Sequence, residues 1–122
     1  MDQKETVELS TAQNYIEKNN IRKINLLKID VEGHELKALS GFGPYLNSDF
    51  IDFIQFEYGG ANLDAHTNLL DFYKLLRPLD FVICKIKRGY LEERDYHPRL
   101  DNFVNQNFVA VSEKILAQIK SV

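Results

Sequence analysis

The sequence predicts an α/β fold with parallel strands and a final antiparallel strand pair, and three observations predict it. Two apolar runs, from Ile24 to Val31 and from Ile51 to Glu57, each lead through a glycine-bearing turn into a segment of helical periodicity. Two strand-turn-helix units in succession imply parallel strands, because the helix carries the chain back to start the next strand in the same direction. A third run from Phe81 to Lys87 reaches a fourth, from Asn107 to Val111, through a loop, and this closing pair is expected to run antiparallel.

Size and charge bound the function. A chain of 122 residues with 44% hydrophobic content suits one small domain with one core. The net charge of -3, from 15 Lys and Arg against 18 Asp and Glu, offers no basic stripe for phosphates, which argues against nucleic acid as a partner. Cys84 is the single cysteine, so neither an internal disulfide nor a thiolate zinc cage can form, which suits a reducing cytoplasm. No apolar run approaches the roughly 20 residues that span a bilayer, and the segment from Met1 to Glu8 is polar without a signal-peptide core. A soluble cytoplasmic protein with no membrane partner is expected.

Taken in order, Val7-Glu8-Leu9 reads as a short extended stretch, and Ser10 followed by Gln13 matches a capping box. The helix that follows carries Ala12, Tyr15 and Ile16 on one stripe and ends at Asn19-Asn20, residues that tolerate the left-handed conformation. The apolar residues from Ile24 to Val31 do not alternate cleanly, as expected of a strand covered on both faces and placed mid-sheet. Glu32-Gly33 makes a turn, and His34 to Ser40, with Leu36, Ala38 and Leu39, makes a helix stopped by Gly41 and Gly43-Pro44. After the second strand, Tyr58 to Asn62 reads as a loop and Thr67 to Leu76 as a helix bearing Leu69, Leu70, Phe72, Tyr73 and Leu76. A charged, aromatic-bearing loop from Arg88 to Gln106 precedes the last strand. Ser112 then caps a final helix through Lys120 that turns Ile115, Leu116 and Ile119 inward.

In open parallel sheets ligands bind at the carboxyl ends of the strands, where turn backbone groups and helix N-termini converge. The first exit carries Asp30, Glu32, Gly33 and His34, and the second Glu57, Tyr58, Gly59 and Gly60. A carboxylate there could orient or deprotonate a substrate hydroxyl, help worth roughly 10²–10⁴-fold in rate. It could equally hold a cation, since opposite unit charges about 4 Å apart attract by about 4 kcal/mol at an effective dielectric of about 20.

Glu32 and Glu35 also have a structural reading, because acidic side chains near a helix N-terminus are stabilising by about 0.3–1 kcal/mol with no functional role. Asp30 points the other way, since an aspartate ending a buried-type strand is desolvated and needs a partner. His34 could act as a base near neutral pH, although such a histidine more often only covers a helix start. Lys28 must snorkel outward or pair with Asp30, two residues along on the same face.

Gly59-Gly60-Ala61-Asn62 imitates a nucleotide-binding turn but lacks the third glycine, whose place Leu63 or Asp64 takes, and a loop requiring positive φ explains the glycines more simply. The loop carrying Tyr90, Glu92, Glu93, Tyr96, His97 and Arg99 fits a substrate-facing lid and a solvated hairpin connection equally well. His66 and His97 have no ligand at metal spacing, and neither a nucleophile elbow nor a phosphate-binding lysine loop is present.

The run INLLKIDVEGHELKALSG closely resembles the signature of the FkbM-type methyltransferases, a strand running into D-V-E-G, then an acidic residue and a leucine-containing helix. IDFIQFEYG resembles that family's next strand, and the order of elements through Val111 agrees. The resemblance implies a Rossmann-like methyltransferase fold, of which residues 1–122 form a partial domain, the C-terminal half. It also implies methyl transfer from S-adenosylmethionine to a hydroxyl of a small molecule, a sugar or a polyketide-like natural product. It places Asp30, Glu32 and Gly33 in the turn after the fourth strand, beside the methyl-transfer centre, and Glu57 at the end of the fifth.

Two departures lie away from that centre. Ser10-Thr11-Ala12-Gln13 lacks the Leu-Asp that often precedes the first helix, and Pro78-Leu79-Asp80 replaces a Gly-aromatic turn. A larger one is that nothing upstream of Met1 supplies the family's glycine-rich cofactor turn or its ribose-binding acid. The expectation is therefore a fragment or half of a split enzyme that binds S-adenosylmethionine poorly and has no cofactor-binding residues of its own. The strand from Ile24 would then present an open edge, and self-pairing into a homo-oligomer would follow. The competing expectation is a non-catalytic α/β interaction or oligomerisation module derived from the same fold.

Overall fold

In a computed structural model, which describes residues 11–120, five strands form one mixed sheet. Their order is β1 (Ile24–Ile29), β2 (Ile51–Tyr58), β5 (Gln106–Ser112), β3 (Phe81–Lys87) and β4 (Tyr90–Glu93). β1 and β2 pair in parallel, with Ile24 opposite Ile51 and Ile29 opposite Phe56. β5 runs antiparallel to both β2 and β3, so β1, β2 and β3 all point the same way. The antiparallel closing pair expected from the sequence is β3 with β5, and β5 also fills the space between β3 and β2.

Helices pack on the two faces. α1 (Ala12–Lys18), α2 (Glu35–Ser40) and α4 (Leu69–Leu76) deliver Ile16, Leu39, Phe72 and Leu76 to the larger core, against Ile54, Phe56 and Tyr58 of β2. Phe56 stacks on Phe72 with ring centroids 4.3 Å apart and planes 6° from parallel, and Phe108 lies at 5.8 Å on Phe56. On the other face α5 (Glu113–Lys120) lays Ile115 and Leu116 over Cys84, Val109 and Val111. Because strand side chains alternate between faces, burying Ile54, Phe56 and Tyr58 turns Phe53, Gln55 and Glu57 away from the larger core.

Several expectations are corrected. Among the described residues β1 stands at the edge of the sheet and not mid-sheet as its apolar pattern suggested, which is the open edge expected of the partial domain, and Leu26 is 60% exposed. β1 also ends at Ile29, leaving Asp30 and Val31 in the turn.

Residues 88–106 are not one loop. β4 folds back on β3 through a tight turn in which Gly89 takes φ +85, and a 3₁₀ turn follows at Pro98–Leu100. Gly60–Asp64 forms a short helix, α3, where a loop was expected. The α4 helix begins at Leu69, after a reciprocal cap. The Asp71 N–H donates to Asn68 Oδ1 at 3.1 Å and the Asn68 N–H to Asp71 Oδ2 at 2.9 Å.

Ser112 does not cap α5, for its hydroxyl is buried without a partner and the Glu113 N–H donates instead to Asp80 O at 3.0 Å. Tyr15 and Ile119, expected to face inward, are 59% and 50% exposed. The Thr11 hydroxyl caps α1 by accepting the Asn14 N–H at 3.1 Å. Ser10 and the stretch from Val7 to Leu9 lie outside the described residues. Among the described residues no helix is long and apolar enough to cross a membrane.

Candidate active site at the strand exits

The parallel register of β1 and β2 opens both carboxyl ends on one rim. A cleft of about 150 Å³ lies between the two turns. The first turn lines it with Asp30, Glu32, Gly33 and Glu35, and the second exit with Glu57, Gly59, Gly60, Ala61 and Asn62, while Asn105 reaches in from the chain before β5. A second hollow of about 190 Å³ shares Asp30 and Glu57 and adds Lys28, Gln55 and Asn107. Three of the four candidate residues, Asp30, Glu32 and Glu57, thus meet in one place. The fourth, His34, is the exposed N-cap residue of α2, makes no side-chain capping bond and is not in the lining.

Local chain geometry fixes the first turn. Glu32 takes φ +49 and Gly33 φ +93, two successive residues in the left-handed region. A Cβ on Gly33 would stand 2.5 Å from the carbonyl oxygen of Ala61, so only glycine lets this turn touch α3. Glu35, 1% exposed, accepts the Val31 N–H at 3.1 Å and the Gly33 N–H at 3.0 Å, and both its oxygens are thereby committed to the turn. Asp30 is exposed and not buried as expected, because among the described residues its strand stands at the sheet edge. Lys28 is also exposed, and the ion pairs of the described residues involve Lys23, Arg77, Arg94, Lys114 and Lys120 rather than a Lys28–Asp30 pair.

The second turn depends on close approach and not on a left-handed backbone, since Gly59 is extended and Gly60 is helical. A Cβ on Gly59 would fall 1.7 Å from Asn105 Oδ1 and 2.9 Å from Asn105 Cα. The Gly59 N–H donates to Asn62 Oδ1 at 2.9 Å, the Asn62 amide donates to Thr67 Oγ1 at 3.0 Å, and the Gly60 N–H donates to Asn105 Oδ1 at 3.2 Å.

Asn105 is held there by a strap over residues 94–105. The Tyr73 hydroxyl donates to Arg94 O at 2.8 Å and the Phe103 N–H to the Tyr58 hydroxyl at 2.9 Å. Asp101 sits at the start of α4, where it accepts the Leu69 and Leu70 N–H groups at 2.5 and 3.1 Å and the Tyr96 hydroxyl at 2.6 Å. Burial pushes the Asp101 carboxyl up, but hydrogen bonds from Tyr96, Leu69, Tyr58 and Leu70 outweigh it and hold the group below its ordinary value. Burial first, and then Asp101, push the Tyr58 phenol up to about 12, and for Tyr96 the bond to Asp101 leads, again to about 12. The strap is therefore a fixed wall. Of the segment that fitted either lid or hairpin, Tyr90, Glu92 and Glu93 belong to the hairpin, while Tyr96 is tied inward.

The sequence reading missed Asn62 and Asn105. Asn62 had a local signal, since it stands three residues after Gly59 at capping-box spacing. Asn105 had none, because its contact spans 45 residues of chain. Carboxylates dominate the charge of the lining, so it can accept hydrogen from hydroxyls and attract a cation. Among the described residues no three His, Cys, Asp or Glu side chains are grouped to hold a metal ion.

Residues 2–105 match the family described as the methyltransferase FkbM domain. The hexuronic acid methyltransferase AglP of Haloferax volcanii is 34% identical over 86 residues, 64% of this chain and 35% of that protein. The matched region thus spans about a third of that curated relative's length. No solved structure matches the chain.

Proposed function

Because the chain belongs to the FkbM methyltransferase domain family, we propose that the cleft at the β1 and β2 exits is the acceptor side of a methyl-transfer centre. The reaction is O-methylation of a sugar or natural-product hydroxyl, with S-adenosylmethionine as donor and a Rossmann-like fold in the complete domain. One observation carries this reading: Asp30 and Glu57, from neighbouring parallel strands, line both hollows at the rim where such sheets bind ligands.

The fit to the donor is partial. About 150 Å³ is below the roughly 300–1,000 Å³ of a pocket for a whole ligand of that size. The carboxylates of Asp30, Glu32 and Glu57 suit its positively charged reacting end, and this lining offers nothing specific for the nucleoside. When bound, S-adenosylmethionine would supply an electrophilic methyl group, whose carbon bonds to the acceptor oxygen as its bond to sulfur breaks and S-adenosylhomocysteine leaves.

The chain's own residues do the rest. Asp30 and Glu57 accept the hydrogen bond of the acceptor hydroxyl, and one of them takes its proton. Glu32 adds negative charge at the rim. The contact of Gly33 with Ala61 and the clamp of Glu35 keep the two exits in register, so that positioning dominates. His34, outside the lining, has no role in this scheme. Buried Cys84, the single cysteine, suits action in the cytoplasm.

The test is methyl transfer by the protein expressed from its whole coding region, using tritiated S-adenosylmethionine and p-nitrophenyl glucoside and glucuronide. The uronide is included because of the activity in the relative's name. Labelled glycoside is expected, with Asp30→Asn and Glu57→Gln lowering kcat about 10²–10⁴-fold. Undiminished transfer by both variants would contradict the assignment. A second reading, an association module, draws on the free edge of β1. Calorimetric silence toward S-adenosylmethionine, together with self-association, would favour it.

A further inference from the structure

Hydrogen-bonding capacity around the cleft is uneven. When ionised, Asp30, Glu32, Glu35 and Glu57 can accept hydrogen bonds but not donate them. Asn62 is buried, with its oxygen accepting the Gly59 N–H and one of its two amide N–H groups donating to Thr67. Gly33, Gly59, Gly60 and Ala61 have no polar side chain. That leaves Asn105, which is exposed on the cleft wall.

The orientation of its amide follows from its partner. The Gly60 N–H can donate only to an oxygen, so Oδ1 faces the backbone at 3.2 Å and Nδ2 is the end left over. The contact with Gly59 allows no side chain between them, so the amide is pressed against the turn. Among the described residues lining this cleft, Asn105 Nδ2 is the exposed side-chain donor without a partner, while Lys28, Gln55 and Asn107 offer donors only in the neighbouring hollow.

We propose that Asn105 is a specificity-determining residue that binds the methyl acceptor by donating from Nδ2 to an oxygen beside the hydroxyl held by the carboxylates. This rests on the methyl-transfer reading of the cleft. It selects a class of acceptor, one in which an ether, carbonyl or carboxylate oxygen lies close to the reacting hydroxyl, as in a pyranoside, over a simple alcohol. Carboxylates can hold the hydroxyl hydrogen but cannot bind an oxygen that carries none, and Asn105 supplies that missing polarity.

Two variants separate this role from a structural one. Asn105→Ala removes both ends of the amide, whereas Asn105→Asp keeps an oxygen for the Gly60 N–H and replaces the donor with a second acceptor oxygen and a negative charge. The protein from the whole coding region is assayed with tritiated S-adenosylmethionine and p-nitrophenyl glucoside or glucuronide, whichever the wild type methylates faster. Both variants are expected to raise KM for the glycoside about 10–100-fold while KM for S-adenosylmethionine stays within about twofold. Recovery of wild-type KM by Asn105→Asp overturns the inference, since it would trace the defect to the Gly60 contact. An unchanged KM in Asn105→Ala overturns it as well, and that variant decides alone if Asn105→Asp does not fold. A wild type that methylates neither glycoside overturns the methyl-transfer reading and this inference with it, whereas an active wild type with unaffected variants overturns this inference only.

Discussion

Glu35 carries a carboxylate at 1% exposure because two backbone N–H groups of the preceding turn meet its two oxygens. Such bonds to a charged acceptor are stronger than neutral ones, and losing the acceptor leaves the Val31 and Gly33 N–H groups without a partner. Glu35→Ala is expected to destabilise the protein by about 2–4 kcal/mol, read as a lower urea midpoint at unchanged m. At this scale the sequence was half legible. Glycine at position 33 marked a turn, and the D-V-E-G string marked the rim. The sequence spacing of Glu35 from Val31 does not distinguish a clamp from a favourable charge at a helix start. Asp30 was misjudged for a related reason, since its burial depends on which strand stands beside β1 and not on its own neighbours in sequence.

Elements of the chain divide by length. The longer strands and α4 were readable because several apolar side chains repeat at one period, whereas α3 and β4 are short and governed by single turn residues such as Gly59 and Gly89. The strap gives a pH prediction. Its Asp101 carboxyl lies below its ordinary value, so the folded chain releases that proton more readily than the unfolded chain. The resulting stabilisation is complete above the ordinary aspartate value, about 3.9, and fades as pH falls through the depressed one. Asp101→Asn is therefore expected to be less stable than wild type by about 1–3 kcal/mol at pH 7, a gap that narrows in acid. Urea unfolding at several pH values checks this, and a gap that widened in acid would reverse the sign. The edge strand gives another prediction. Among the described residues β1 has no strand on its outer edge and exposes Leu26, so the chain is expected to self-associate with rising concentration, and Leu26→Lys to suppress it. Light scattering that reports a monomer throughout would rule this out.

For the whole molecule, the decisive arrangement is the direction of β1 and β2. Parallel pairing puts Asp30 and Glu57 on one rim, and β5, returning between β2 and β3, leads in from Asn105 on that same rim. The parallel pair was legible because each strand is followed by a helix. The insertion of β5 was not, since pairings such as Phe53 with Val111 join distant parts of the chain and leave no periodic trace. On the opposite rim Lys114 meets Asp49 at 2.8 Å in an exposed ion pair of the kind that contributes little, and Lys23 meets the buried Asp52 at 2.8 Å, which also accepts from the Asn25 amide at 3.1 Å. Two-dimensional amide NMR of the protein from its whole coding region, titrated with S-adenosylhomocysteine and p-nitrophenyl glucuronide, tests most directly where the reacting molecules meet. Shifts are predicted to gather at Gly33, Glu57, Gly59, Gly60 and Asn105. Shifts gathered instead around Lys23, Asp49 and Asp52, or a spectrum unchanged at saturating ligand, would contradict the placement of the site.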